Sequence, residues 1–230
     1  LAITLEEIQQ KLNKSITRRD VVYFYGEIKK HSYAIAYKVT PDLARLFMSL
    51  EPSQIENVQK RIAQNNEKFV KEWLPKEKSE QIKVRTEKVT QRAEWLFGKL
   101  SKDQEEKIKA HIIANPIDMH LIYQDRLRRQ QELIAIMKDI TKKKLTQKES
   151  ENLITDYIKY FEYGRLKEQQ EAAKKREEIA MELASFLTQI TNDDQKKYAS
   201  ERVETWVSDI NSLIKESSAL AAKRSALPSR

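Results

Sequence analysis

Apolar residues recur at every third or fourth position along nearly the whole chain, and no stretch alternates with period two over a useful length. That spacing keeps side chains on one face of a 3.6-residue turn, so it predicts an all-α protein. We read about ten amphipathic helices, in an irregular antiparallel array of helical hairpins. Residues 2–13 line up Leu5, Ile8 and Leu12; Thr17 can cap a second helix with Val21, Phe24, Ile28 and Ile35 inward. Thr40 and Pro41 mark a short third helix, because proline suits the first helical position. The fourth runs from about Pro52 to Trp73 with Ile55, Val58, Ile62, Phe69 and Trp73 inward, and Pro75 should stop it.

A fifth helix, from about Lys76 to Phe97, carries Ile82, Val89, Ala93 and Leu96, and Gly98 stands where a left-handed residue ends it. Residues 102–114 follow with Ile108 and Ile112, and then a helix from about Ile117 to Lys143 with Tyr123, Leu127, Ile134 and Met137. Residues 147–163 turn Ile154, Tyr157, Ile158 and Phe161 inward, and about 166–189 align Ile179, Leu183, Phe186 and, just beyond, Ile190. The last helix, about 193–222, places Ala199, Val203, Trp206, Ile210, Leu213, Ser217 and Leu220 at alternating spacings of four and three. Such a heptad asks for a long partner, most simply the preceding helix in a C-terminal hairpin. The whole reads as one domain over 1–222, with sub-boundaries near 144 or 164 left open and a frayed tail at 223–230.

Four short stretches recur at the helix starts: LEPSQ at 50–54, LSKDQ at 100–104, LTQKE at 145–149 and TNDDQ at 191–195. A Ser, Thr or Asn before a helix can accept from an unpaired N–H of the first turn, and a Gln or Glu three residues later can bond back. Ser101 with Gln104, Thr146 with Glu149, and Asn192 with Gln195 have that spacing; Glu51 replaces the hydroxyl in the first, with Pro52 at the first helical position. The motif therefore reads as helix punctuation without a ligand.

Composition sharpens this picture only in part. Three Gly and five Pro among 230 residues, with 34% charged, suit long helices. The net charge of +8 is concentrated in residues 74–144, where 17 Lys and Arg face 11 Asp and Glu. Such a basic face could attract nucleic acid or another anionic polymer, or be a solvated surface. The absence of Cys excludes disulfides, thiolate metal sites and a cysteine nucleophile. No apolar run approaches the roughly 18 residues that cross a bilayer as a helix. The chain begins at Leu1, from which we expect an N-terminal segment, with any targeting signal, to have been removed.

Read in order, LEPSQIENVQKRIAQNNEKFVKEWL, RAEWLFGKLSKDQEEKI and YQDRLRRQQELI resemble a family of helical lipoproteins of proteobacteria catalogued as a domain of unknown function. Arg61, Ala63, Asn66, Phe69 and Glu72 to Leu74 match its long helix; Trp95, Leu96, Gly98, Leu100, Ser101 and Gln104 match its junction; Arg126 to Gln130 match its arginine run. The resemblance is strongest over 43–135 and weakens after Gly164. It implies a precursor with a signal peptide and a lipid-modified Cys, tethered to an envelope membrane, most simply the outer one, and facing the periplasm. The Cys is absent from this chain and the family's first helix is shortened. No agreed activity comes with the family. The helix starts also resemble, more weakly, those of small periplasmic stress chaperones.

Candidate chemistry is sparse. His31, His111 and His120 stand far apart, and only Glu27 lies at metal-site spacing from one of them, so we expect no metal and no cofactor. No glycine-rich phosphate loop or nucleophile elbow is present. Asn65 and Asn66 fall between Ile62 and Phe69, so one should meet other helices and pair there. Arg126, Arg128 and Arg129 crowd one turn with Asp125 and Glu132 nearby, and Arg85 and Arg92 lie seven apart. The candidate site is thus a polar, basic cleft of Arg61, Asn66, Glu72, Arg85, Arg92, Arg126, Arg128 and Arg129 that could hold carboxylate or phosphate. The competing reading is that these residues form ion pairs with Glu72, Glu94 or other acids. The expectation is a noncatalytic scaffold or binding module whose partner is an envelope protein, a peptide or a cell-wall component, with nucleic acid disfavoured. A basic-face polymer binder and a hydrolase with carboxylates assembled from distant helices are the alternatives.

Overall fold

The computed structural model describes residues 1–12, 14, 16–74 and 77–225, with side chains through Ser217. It is all-α. Among the described residues there are nine helices: α1 (Ala2–Leu12), α2 (Arg18–Met48), α3 (Pro52–Trp73), α4 (Lys78–Phe97), α5 (Lys102–Ala114), α6 (Met119–Lys143), α7 (Gln147–Tyr160), α8 (Lys167–Ile190) and α9 (Asp193–Ser225). Pro75 and residues 226–230 of the expected tail lie outside the described residues, as does the side chain of Leu220. No helix among them is long and apolar enough to cross a membrane.

The expected helix starts are built by the side chains that marked them. Thr17 and Asp20 bond reciprocally, Thr17 N–H to Oδ2 at 2.8 Å and Asp20 N–H to the Thr17 hydroxyl at 3.3 Å. Those bonds from Thr17, helped by Lys11, hold the Asp20 carboxyl down to about 2. Glu51 with Gln54 and Thr146 with Glu149 close capping boxes at α3 and α7. Gly98 (φ +78°) and Gly164 (φ +69°) end helices in the left-handed region, and Lys144 does so at φ 51° after α6.

One expected boundary is absent. Thr40 and Pro41 do not begin a helix; α2 runs through them to Met48. Proline removes one backbone donor there, but Thr40 is buried and its hydroxyl donates to the Ala36 carbonyl at 3.0 Å. Burial of Ala44 and Phe47 one and two turns later rewards a continuous helix. The inward stripe also shifts: Phe24 is buried, whereas Ile28 and Ile35 are exposed. Phe161 too, expected inward, is exposed beyond the end of α7.

The chain divides into two compact units, each assembled from separated stretches. Unit 1 comprises Leu1–Ile28, Val89–Glu106 and Met181–Arg230. Here the closest helix against α9 is α1, whereas the sequence pattern paired α9 with the helix before it. At 1.5 Å per residue, α1 spans about 16 Å and α9 about 50 Å, so α1 covers about a third of its partner. Ala199, Val203 and Val207 are buried, while Leu213 and Ile214 further along α9 are exposed. Where the chain starts α5 and α9, the two capping boxes meet. Gln104 Nε2 donates to Gln195 Oε1 at 2.7 Å and to the Ile190 carbonyl at 2.7 Å. Gln195 Nε2 donates to Gln104 Oε1 at 3.0 Å and to the Lys99 carbonyl at 2.8 Å. Each amide oxygen also accepts from its own cap residue, Ser101 N–H at 2.9 Å and Asn192 N–H at 3.0 Å. The punctuation is therefore also a clasp between two helix starts.

Unit 2 comprises Lys29–Lys88 and Lys107–Ala180. Its core gathers Ala44 and Phe47 of α2, Ile55 of α3, Ile134, Met137 and Ile140 of α6, and Ile154 and Ile158 of α7. A charged cluster lies in the same unit. The Lys29 ammonium meets Glu162 at 3.1 Å, Glu177 at 3.0 Å and the Tyr163 hydroxyl, and Tyr33 donates to Glu162 at 3.1 Å. Burial opposes charge on Lys29, but its bonds to Tyr163, Glu177 and Glu162 together outweigh that and hold it above the usual lysine range.

Candidate functional site

Asn66 occupies an apolar position of α3, four residues after Ile62 and three before Phe69, which places it against α6. It is buried, as a stripe position requires, and an amide cannot sit there unpaired without cost. Arg126 and Gln130, one turn apart on α6, supply the partners. Asn66 Oδ1 accepts from Arg126 Nε at 2.8 Å and from Gln130 Nε2 at 3.1 Å, while Asn66 Nδ2 donates to Gln130 Oε1 at 2.8 Å. The expectation that an asparagine would be drawn into a helix contact holds, with side chains in place of a backbone carbonyl.

Aromatic rings continue the seam. Phe69 stacks on Tyr123 at 5.6 Å and on Trp73 at 6.2 Å, and the Arg126 guanidinium lies 5.3 Å from the Phe69 ring. The bond to Asn66 uses only Nε of Arg126, and among the described residues its terminal amino groups meet no carboxylate. Two hollows open where Asn66 closes the seam. One, of about 370 Å³, is lined by Ile62, Ala63, Gln130 and Ala135 among others. The second, of about 520 Å³, is lined by Ala63, Val70, Lys71 and Tyr123 with Asn66 and Glu67. Ala63 is exposed and borders both, so the α3–α6 face carries a groove with small, apolar and amide groups in its walls.

The other arginines of that turn do different work. Arg128 reaches Asp125 at 2.8 Å, Glu132 at 3.3 Å and the Phe161 carbonyl at 2.9 Å, where the free carbonyls after α7 favour a cation. Arg129 and Arg176 take the second oxygen of Asp125 at 3.2 and 3.1 Å. Arg129 also lies 4.8 Å from the Phe161 ring, which explains the position of that exposed aromatic. Three guanidinium groups thus share one half-buried carboxylate, the structural alternative to an open anion site.

The eight residues expected to form one basic cleft are not gathered into one. Among the described residues, Asn66 and Arg126 are the pair of the eight joined by a hydrogen bond. Glu72 pairs with Lys88 at the exposed surface, and Arg61 and Arg92 are exposed. Arg85 donates to the Asn115 carbonyl at 2.7 Å, closing the end of α5, and burial pushes its guanidinium down from the usual range. Arg85 belongs to unit 2 and Arg92 to unit 1, although they lie seven apart on one helix. Gln130, Tyr123 and Ala63, which the sequence marked only as stripe or family-pattern positions, belong to the seam and its hollows as well. Gln130 stands one turn after Arg126, a spacing that would have flagged a shared face. Among the described residues, no group of three or more His, Asp or Glu is placed to hold a metal ion.

The two segments that build this seam, 61–74 and 126–130, both lie within residues 5–158, which match a family model described as a family of unknown function, DUF6279. No curated protein and no solved structure matches the chain. The matched stretch is about two thirds of the 230 residues and contains α3, α6 and nearly all of α7, so the chain belongs to the DUF6279 family of unknown function.

Proposed function

We propose that the chain is a noncatalytic binding module of the bacterial envelope, and that its α3–α6 groove takes a polypeptide segment of a partner. The observation that carries this reading is the seam at Asn66: a pre-formed amide pair flanked by two open hollows, with exposed Ala63 between them. Side-chain amides both donate and accept, as a peptide backbone does, and Ile62, Val70 and Tyr123 offer apolar surface for its side chains. The engaged state of Arg128 and Arg129 counts against phosphate tracking by this turn. Resemblance to envelope lipoproteins supports a periplasm-facing location, with the anchor on a lipidated Cys of the precursor and the outer membrane as its seat.

The test uses the full-length precursor with a C-terminal tag, cross-linked in cells and recovered from envelope extract, alongside Ala63→Trp. That substitution fills the groove from an exposed position and leaves the core intact. A partner recovered with the parent chain and lost with the variant, at equal melting temperatures, supports the reading. Equal recovery with both, or turnover of a substrate by the purified chain alone, would overturn it. Labelling of the precursor with a radioactive fatty acid tests the anchor separately.

A further inference from the structure

Unit 1 carries a second arrangement that its core does not require. Trp95 on α4 is 56% exposed, although the buried face of that helix end is made by Val89, Ala93 and Phe97. Its ring stacks on Trp206 of α9, with centroids 5.3 Å apart and planes 19° from parallel. Arg202, one turn before Trp206, sets its guanidinium 4.6 Å from the Trp95 ring and 5.8 Å from the Tyr198 ring. Its Nη1 donates to the Tyr198 hydroxyl at 3.2 Å. Residues 198, 202 and 206 are four apart, so they form one stripe of about 12 Å along α9. Gly98 lies beside this stripe: a Cβ there would lie 3.5 Å from the Tyr198 ring, an ordinary contact, so the glycine answers to its φ of +78° and not to want of room.

Arg202 is the unusual member. Its Nε is closed off from solvent and has no hydrogen-bond partner among the described residues. The positions three and four residues away on α9 are Tyr198, Ala199, Thr205 and Trp206, so no acid is at ion-pair spacing on its own helix. Arg128 in unit 2 shows the opposite case, with Asp125 and Glu132 both in reach. With Nε enclosed and Nη1 on the Tyr198 hydroxyl, the guanidinium keeps Nη2 for a single charge-assisted hydrogen bond to a carboxylate.

We propose that Trp95, Tyr198, Arg202 and Trp206 form a docking site for an acidic polypeptide segment. A carboxylate of the segment takes the free terminal amino group of Arg202, and an adjoining apolar side chain lies on the exposed surface of Trp95. Trp, Tyr and Arg are the residues that dominate binding energy at protein interfaces, where a ring supplies area and the cation direction. A nucleic acid would also stack on the rings, but its backbone needs a track of cations. Here Glu201 and Glu204 stand exposed beside Arg202, so the cation is not part of a run of cations that a row of phosphates could follow.

The test uses the full chain with Trp73→Phe, so that emission comes from Trp95 and Trp206. It is titrated with a short peptide alternating Glu with Leu and Phe, with its Gln counterpart, and with oligothymidylate. A charge-assisted hydrogen bond is worth about 1.5–3 kcal/mol, so the acidic peptide should bind at least about tenfold more tightly than the Gln peptide. Arg202→Gln should abolish that preference, and Trp95→Ala should weaken both peptides, with unfolding curves unchanged. Should Arg202→Gln unfold, Arg202→Lys serves instead, and an intermediate preference is expected because the charge stays and the planar group beside the Trp95 ring is lost. Equal affinity for the two peptides, an undiminished preference in the Arg202 variant, or tighter binding of oligothymidylate would overturn the proposal.

Discussion

Truncating Gln104 to Ala removes four hydrogen bonds at once: one from Ser101 N–H, one to the Ile190 carbonyl and two shared with Gln195. Both glutamines are more than nine-tenths buried, so water replaces these partners poorly. At about 0.75 kcal/mol net per bond, each single truncation costs about 3 kcal/mol, and independent sites would give about 6 kcal/mol for the double variant. The two shared bonds are lost in either single variant, however, so the double should cost about 4.5 kcal/mol, a coupling of about 1.5 kcal/mol. The assay is urea unfolding of the full chain carrying Trp73→Phe, followed by emission from Trp95 and Trp206, which both belong to unit 1. Single and double variants that add to within about 0.3–0.5 kcal/mol would show that the two amides act independently and refute the clasp.

Three further outcomes are expected. The fold favours the protonated forms of Lys29 and of Tyr33, the latter pushed up to about 12 by burial and by Glu162. The stability they contribute is therefore complete below their unfolded values of about 10 and is lost as pH rises through the folded ones. Melting temperature should fall steeply above about pH 10, and Lys29→Met should flatten that descent in a thermal series monitored by circular dichroism. Asn66→Leu leaves Gln130 and Arg126 Nε without their partner and should cost about 2–3 kcal/mol by chemical unfolding, whereas adding Gln130→Leu should cost less than the sum of the two. Gly164→Ala forces a side chain into the left-handed region and against Gln169, which accepts from Arg165 N–H and Leu166 N–H at the start of α8. It should cost at least about 1–2 kcal/mol in the same assay.

Helix starts and stops were legible along the chain because they are local. Ser101, Thr146 and Asn192 declare themselves within four residues, and Gly98 and Gly164 supply a backbone conformation that side chains resist. What those residues do next was not legible. Gln104 and Gln195 are separated by 91 positions, and nothing in either box names the other. The same holds for Lys29, whose partners Glu162 and Glu177 lie more than a hundred residues on. At Pro41 a local rule lost to packing by Ala44 and Phe47, and two predicted helices became one. The heptad of α9 announced a partner helix but not its identity, because α1 and α8 are equally amphipathic by pattern. The arginine turn was read correctly as offering Asp125 and Glu132 as local partners. Assembly of one basic cleft failed because Arg61 and Arg92 point no stripe toward a neighbour.

The way α1 finds its mate has a consequence for synthesis. Its partner α9 begins at Asp193, about 180 residues later, and at roughly 5–20 residues per second the ribosome needs on the order of 10–40 s to deliver it. Through that interval α1, whose Leu12 ends up only 4% exposed, has no α9 to pack on. Nascent chains of this protein thus carry an unmatched amphipathic helix for many seconds, a natural target for holding chaperones. A premature stop anywhere before α9 would leave that helix permanently without its cover.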